Sequence, residues 1–210
     1  KIMGETAVAM MLGASRGIVA NAYLMTAGGE GWPNAKFTGA LRTLAGAHVV
    51  ILGFGNIGHH AGRLLKSFGA RVTGVRRHPE NDCPDWFTDS DSVVGVDRLD
   101  AVLPSADHLL CVLPSGKETD HMLDRRRIGL LPAHAVVYNI GRGNTIDAIA
   151  LSEALDGGSI AAAFLDVFET EPLPNESPLR KARNVFLYPH VSAVAPQYMN
   201  LYVEELAERL

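Results

Sequence analysis

Ala47-His48-Val49-Val50-Ile51-Leu52, Gly53-Phe54-Gly55-Asn56-Ile57-Gly58, then helical periodicity from Ile57 to Phe68, and then Arg71-Val72-Thr73-Gly74-Val75: this stretch decides the fold. It reads as strand, glycine turn, helix and strand. Amides at the start of a helix, here at Asn56 and Ile57, carry unsatisfied donors and the positive end of the dipole, which together suit a pyrophosphate. Gly53 makes the tight turn, Gly55 lets a phosphate approach the backbone, and Gly58 lets helix and strand pack closely. A lone GxGxxG pattern is weak evidence, but here strand and helix flank it on both sides. A dinucleotide site is the expectation, with a methyltransferase-type nucleotide site or a purely structural turn as the other readings.

Working outward, the chain from Gly4 to about Ala27 is rich in alanine and methionine and predicts one long helix, broken by Gly28-Gly29-Glu30-Gly31-Trp32-Pro33-Asn34. Beyond Val75, Ser92 to Val96 is a possible short strand and Leu99 to Leu103 a short helix. His108 to Leu113 is an apolar strand stopped by Pro114. Asp120 to Leu131 alternates charged and apolar residues at helical spacing up to Pro132. Ala135 to Ile140 predicts a buried strand, Asp147 to Leu155 a helix, Ile160 to Val167 and Val185 to Tyr188 further strands, and Pro196 onward a terminal helix. Continuous apolar strands separated by helices imply a parallel sheet covered on both faces, a doubly wound α/β (Rossmann) fold. In such sheets ligands sit beyond the carboxyl ends of the strands. The residues just past those ends form a selective set: the glycine turn, Arg76, Pro114, Arg142, Asp166 with Glu171, and His190.

With 47% hydrophobic and 20% charged residues and a formal net charge of -4 over 210 residues, the composition is that of an ordinary globular chain. Mild acidity gives no electrostatic footprint for nucleic acid or a membrane surface. No apolar stretch approaches the roughly 20 residues of a membrane span. Of two cysteines, Cys83 falls in a polar loop and Cys111 in an apolar strand, so the expectation is a reducing, cytoplasmic setting without disulfides. The eight histidines lack metal-ligand spacing.

The ordered motifs Gly53-Phe54-Gly55-Asn56-Ile57-Gly58, Asn139-Ile140-Gly141-Arg142-Gly143, Leu165-Asp166-Val167-Phe168-Glu169-Thr170-Glu171-Pro172-Leu173 and Pro189-His190 resemble those of the D-isomer-specific 2-hydroxyacid dehydrogenases. The resemblance covers essentially the whole chain. It implies that Arg142, Glu171 and His190 are the catalytic residues. It also implies that Leu113, Pro114, Ile140, Gly141, Asp166 and Ser192 flank the cofactor, with Asp166 near the nicotinamide. The residue types agree. A planar guanidinium can grip the carboxylate of a 2-oxo acid in a forked geometry and polarise its carbonyl. Hydride delivery builds negative charge on the carbonyl oxygen, which His190 is suited to protonate near neutral pH while Glu171 holds its ring. Taken singly, Arg142 reads equally well as a solvated turn residue, Glu171 as a loop charge, and His190 as a strand-end histidine. Asp166 could be partnered by a helix cap or local hydrogen bond.

Two departures from the family pattern carry information. Gly62 stands on the glycine-turn helix where alanine is usual, a small loss of helix propensity. At the end of the second strand, where NAD-preferring members carry an acid for the ribose hydroxyls, this chain has Arg76 and Arg77 followed by His78. That favours NADP over NAD. By the same resemblance, residues 1–195 form the dinucleotide-binding domain with a leading interdomain helix, and 196–210 begin a helix returning to a substrate lobe absent from this chain. A small-molecule 2-oxo or 2-hydroxy acid and a second copy in a homodimer are the implied partners. A glyoxylate or hydroxypyruvate reductase is the leading expectation, phosphoglycerate dehydrogenase a nearby one, and a dimeric NAD(H)-sensing, corepressor-like binding protein the alternative from another class.

Overall fold

A computed structural model describes residues 1–26, 39–80 and 84–207. The break at Gly28–Asn34 and the loop position of Cys83 lie outside the described residues. Seven parallel strands form one sheet: β1 (His48–Leu52), β2 (Arg71–Arg76), β3 (Ser92–Gly95), β4 (His108–Cys111), β5 (Val136–Asn139), β6 (Ala162–Leu165) and β7 (Val185–Leu187), in the order β3-β2-β1-β4-β5-β6-β7. Between β1 and β4 the winding reverses, opening a crevice at the carboxyl ends of the strands.

Period-two alternation splits the core into two layers. Val50, Leu52, Leu109, Cys111, Val137 and Leu165 face one side, where they meet Leu99 of α4 (Leu99–Val102), Ile128 of α5 (Arg125–Ile128), and Leu151 and Leu155 of α6 (Ala148–Asp156). Val49, Ile51, Val72, Leu110, Tyr138 and Phe164 face the other side. There they meet Ala7 and Met11 of α1 (Ile2–Ser15) and Ala61 and Leu65 of α3 (Asn56–Ser67). Every residue of β1 and β4 is buried, which is why these strands read as unbroken apolar runs rather than alternating ones.

Two elements differ from the sequence expectation. The single long helix is two, α1 and α2 (Ile18–Thr26), because Gly17 adopts φ +60° and its amide turns back to the Ala14 carbonyl. The helix expected over Asp120 to Leu131 shrinks to α5. The amides of His121 and Leu123 donate instead to the carbonyls of Asn144 and Thr145, and Leu123 bridges Ile146 in parallel. Met122 and Leu123 are buried by this lateral pairing, so the apolar spacing reflects a tied-down turn. Only at Asp124, whose carboxylate accepts from the Arg127 amide, does a helix start. The terminal helix, α7 (Tyr198–Ala207), begins two residues after the expected Pro196.

Candidate active site

The site is assembled from loops that leave the carboxyl ends of successive strands. After β1, Gly53 takes φ +101°, and a Cβ there would lie 2.8 Å from the Val112 carbonyl oxygen, so the turn tolerates no side chain. The amides of Gly53 and Phe54 both donate to the Val75 carbonyl, tying the turn to the end of β2. At Gly58 a Cβ would come 2.7 Å from the Gly53 carbonyl oxygen, whereas at Gly55 it would meet nothing within 4 Å. Open space therefore lies beside Gly55, the N-cap residue of the helix, which has no side chain to cap it. That arrangement fits a pyrophosphate received by backbone amides.

The next loops nest against this turn, backbone to backbone. A Cβ on Gly141 would sit 2.7 Å from the Leu113 amide nitrogen and carbonyl oxygen, and one on Gly143 would run into the backbone of Phe168. Leu113-Pro114, Ile140-Gly141 and the segment leading to Glu171 thus line one crevice. Thr119 Oγ1 donates to the Pro114 carbonyl at 2.8 Å and steadies the first of these loops. Arg76 ends β2 and is half-buried, while Arg77 is exposed and pairs with Glu118 at 2.5 Å.

Arg142 is held in its turn by the side chains of Asn139 and Thr145. Asn139 Nδ2 and Thr145 Oγ1 donate to the Arg142 carbonyl at 2.9 and 2.7 Å, and Asn139 Oδ1 accepts from the Gly141 amide. An asparagine closing an apolar strand before Gly-Arg-Gly was the available signal. The Arg142 guanidinium donates to the Gly141 carbonyl at 2.7 Å.

Glu171 and His190 meet across 19 positions of sequence, with His190 Nδ1 at 2.7 Å from Glu171 Oε2. The other oxygen of Glu171 accepts the Phe168 amide at 2.9 Å. Partial burial opposes the charge of this carboxylate. Hydrogen bonds from His190 and Phe168, with the nearby charges of His190 and Arg142, outweigh it and hold the carboxyl below its usual range. A cavity of about 700 Å3 opens beside the pair, lined by Phe168, Leu173, Arg180 and Tyr188 among others.

His190 has φ +57°, a left-handed backbone that costs a non-glycine residue roughly 1–3 kcal/mol unless its surroundings hold it. Asp166 provides that hold. Its carbonyl accepts the His190 amide at 2.9 Å, and its fully buried carboxylate accepts the amides of Val191 and Ser192 at 2.8 and 3.0 Å. Three successive amides converge on one residue. Asp166 is thus partnered neither by a helix cap nor by a local hydrogen bond but by amides 25 and 26 positions away, and these compensate its burial. Ser192 is buried in turn, and its carbonyl accepts from Thr6 of α1 at 2.9 Å, a contact 186 positions apart that no sequence pattern announces.

Among the described residues no group of three or more histidine, cysteine or acidic side chains could hold a metal ion, and no helix is long and apolar enough to cross a membrane. Cys111 is buried, and burial pushes its thiol up to about 12, so it is inert.

Residues 8–192 match the family model for the D-isomer specific 2-hydroxyacid dehydrogenase, NAD binding domain. A D-3-phosphoglycerate dehydrogenase from Methanocaldococcus jannaschii is 34% identical over 221 aligned positions, covering 99% of this chain and 40% of its own length. A glyoxylate/hydroxypyruvate reductase B from Yersinia pestis is 34% identical over 198, covering 91% of this chain and 57% of its own. The chain thus spans about half the length of these relatives. Among solved structures, a D-isomer specific 2-hydroxyacid dehydrogenase from Xanthobacter autotrophicus Py2, in complex with NADPH and MES, superposes with a TM-score of 0.79 at 30% identity. That match covers 99% of this chain and 82% of that one.

Proposed function

The chain belongs to the D-isomer-specific 2-hydroxyacid dehydrogenase family through its NAD-binding domain, and from that membership we propose that it supplies the cofactor site and acid–base pair of an NAD(P)-linked 2-oxo acid reductase. The observation that carries this reading is the contact of His190 Nδ1 with a Glu171 carboxylate that is itself held by the Phe168 amide. A histidine fixed through Nδ1 presents its other ring nitrogen to a substrate.

In the reductive direction Arg142 binds the substrate carboxylate and polarises the adjacent carbonyl. The nicotinamide, when bound, supplies the hydride. His190 Nε2 gives its proton to the carbonyl oxygen as that oxygen gains charge, leaving a 2-hydroxy acid and a neutral imidazole. Glu171 keeps the ring oriented through Nδ1. In the oxidative direction the neutral imidazole takes the proton back. Gly53, Gly55, Asn56, Ile57 and Gly58 would receive the pyrophosphate, and Leu113, Pro114, Ile140, Gly141 and Ser192 would flank the nicotinamide half. Arg76 and Arg77 stand where an acid would serve NAD, so NADP is the favoured cofactor. Residues 1–195 act as the dinucleotide-binding domain. The helix that begins after 195 leads back toward a substrate lobe, and two copies pair.

Glyoxylate or hydroxypyruvate is the favoured substrate class, and phosphoglycerate dehydrogenase is kept as a second reading because one relative carries that name at the same identity. The joined Glu171 and His190 pair favours an enzyme over a nucleotide-sensing corepressor-like protein, which needs no proton donor. The test is turnover by the full-length protein of a panel of 2-oxo acids, with His190→Ala beside it. His190→Ala should lower turnover roughly 100-fold or more with cofactor affinity largely intact. Wild-type turnover in that variant would remove the acid–base assignment, and no turnover of any 2-oxo acid despite tight cofactor binding would favour the sensor.

A further inference from the structure

Helix α1 touches both halves of the site. Its N-terminal turn lies directly on the dinucleotide helix: a Cβ on Gly4 would come 2.6 Å from His60 Cδ2 of α3. Two residues on, Thr6 Oγ1 donates to the Ser192 carbonyl at 2.9 Å. A helical threonine ordinarily returns its proton to the carbonyl four residues back. Here that acceptor, the Ile2 carbonyl, is the longer contact at 3.3 Å, so the single hydroxyl proton is directed out of the helix and onto the loop. The helix itself has little freedom, since Ala7, Met10 and Met11 are buried in the core beneath it.

The acceptor end is equally fixed. Ser192 is 3% exposed and its amide is already taken by Asp166 Oδ2. Two residues earlier in the same loop, His190 holds its left-handed backbone and its contact with Glu171. Asp166 secures the amides of this loop from the sheet side, and Thr6 secures its carbonyl from the helix side.

We propose that Thr6, through its hydrogen bond to the Ser192 carbonyl, is a positioning residue for His190, so that α1 couples the placement of the dinucleotide helix to the acid–base pair. The inference rests on the reading of His190 as the proton donor. It assigns Thr6 no contact with substrate or cofactor. Removing the hydroxyl frees the far end of the loop, and a displacement of the imidazole by a fraction of an ångström slows proton transfer before it disturbs the phosphate site.

The test is made in the full-length enzyme with three variants. Thr6→Val keeps the shape and loses the hydroxyl, Thr6→Ser keeps the hydroxyl, and His190→Ala is the control. Thr6→Val should lower kcat for 2-oxo acid reduction about tenfold and displace its pH profile, with NADPH affinity within about twofold of wild type. Thr6→Ser should restore both kcat and the profile. Should Thr6→Val not fold, Thr6→Ala, which leaves space instead of a methyl group, takes its place with the same expectation. Wild-type kcat and pH profile in the hydroxyl-free variant, beside an inactive His190→Ala, would overturn this inference and leave the acid–base reading standing. So would a loss shared equally by cofactor binding and kcat and not rescued by serine, since that marks a general structural role. An active His190→Ala would remove the acid–base reading itself, and this inference with it.

Discussion

The Trp86 indole stands over Gly62: a Cβ at position 62 would come 2.7 Å from Trp86 Cη2. Trp86 in turn packs edge-on against Phe87 and His59, and Phe54 joins them. Gly62→Ala should therefore destabilise the protein by about 1 kcal/mol or more, although alanine is the better helix former, because the ring must shift within a packed cluster. Chemical denaturation of Gly62→Ala and of Gly62→Ala/Trp86→Leu checks this. A gain in stability for the single variant would show that the ring moves freely.

Asp166→Asn turns one acceptor into a donor facing an amide, so one of the contacts to Val191 or Ser192 is lost and a buried mismatch replaces it. The expected cost is about 1–3 kcal/mol. Turnover should fall as well, by about 100-fold for an imidazole no longer held in line. NADPH titration separates the two roles open to Asp166. Unchanged affinity fits the loop-holding geometry, and a large loss would point to the cofactor contact that the family resemblance implies.

At the end of β2, Arg76→Ala should weaken NADP binding by about 1–3 kcal/mol, the range of a charge-assisted hydrogen bond, and leave NAD nearly unaffected. Arg77 pairs with Glu118 on the surface, and so exposed an ion pair costs little to give up when a phosphate competes for it. The double variant Arg76→Ala/Arg77→Ala should thus lose more NADP affinity than the single one. Titration of both cofactors decides it, and equal losses for NAD and NADP would mean that neither arginine reads the ribose phosphate.

His108 lies buried at the start of β4, with Nδ1 at 2.9 Å from the Tyr138 hydroxyl. Burial lowers its pKa to about 4, with neighbouring Asp107 pulling upward and His134 downward. An unfolded chain takes up this proton near the ordinary value of 6.5, and the folded one does so only near 4. Stability is thus complete above 6.5 and is lost as pH falls toward 4, by about 3 kcal/mol in total. Burial depresses His48 in the same direction, against a hydrogen bond with the Ser105 carbonyl. Denaturant midpoints compared at about pH 7.5 and 4.5 should differ less in His108→Asn than in wild type. An equal acid loss in both would assign it to other groups.

The strand, glycine turn and helix over residues 47–78 were legible because they are local. An apolar run, three glycines at fixed offsets and a helical period each act within a few residues, and the seven-stranded parallel order comes from repeating that unit. The candidate residues after each strand end were legible for the same reason, since the fold sends every such loop to one edge. The break at Gly17 and the lateral pairing of His121 and Leu123 with Asn144 and Thr145 were not, because a helical spacing of apolar residues does not say where the backbone amides find their partners. Nor could any pattern show that Trp86 takes the space above Gly62, or that Asp166 spends its carboxylate on Val191 and Ser192 while Thr6 reaches the same loop from α1. The amino-acid sequence by itself determined the architecture and which side chains reach the carboxyl edge, through periodicity and turn chemistry. How His190 is held there was decided only by tertiary structure, because hydrogen bonds between distant segments depend on packing that no local pattern encodes.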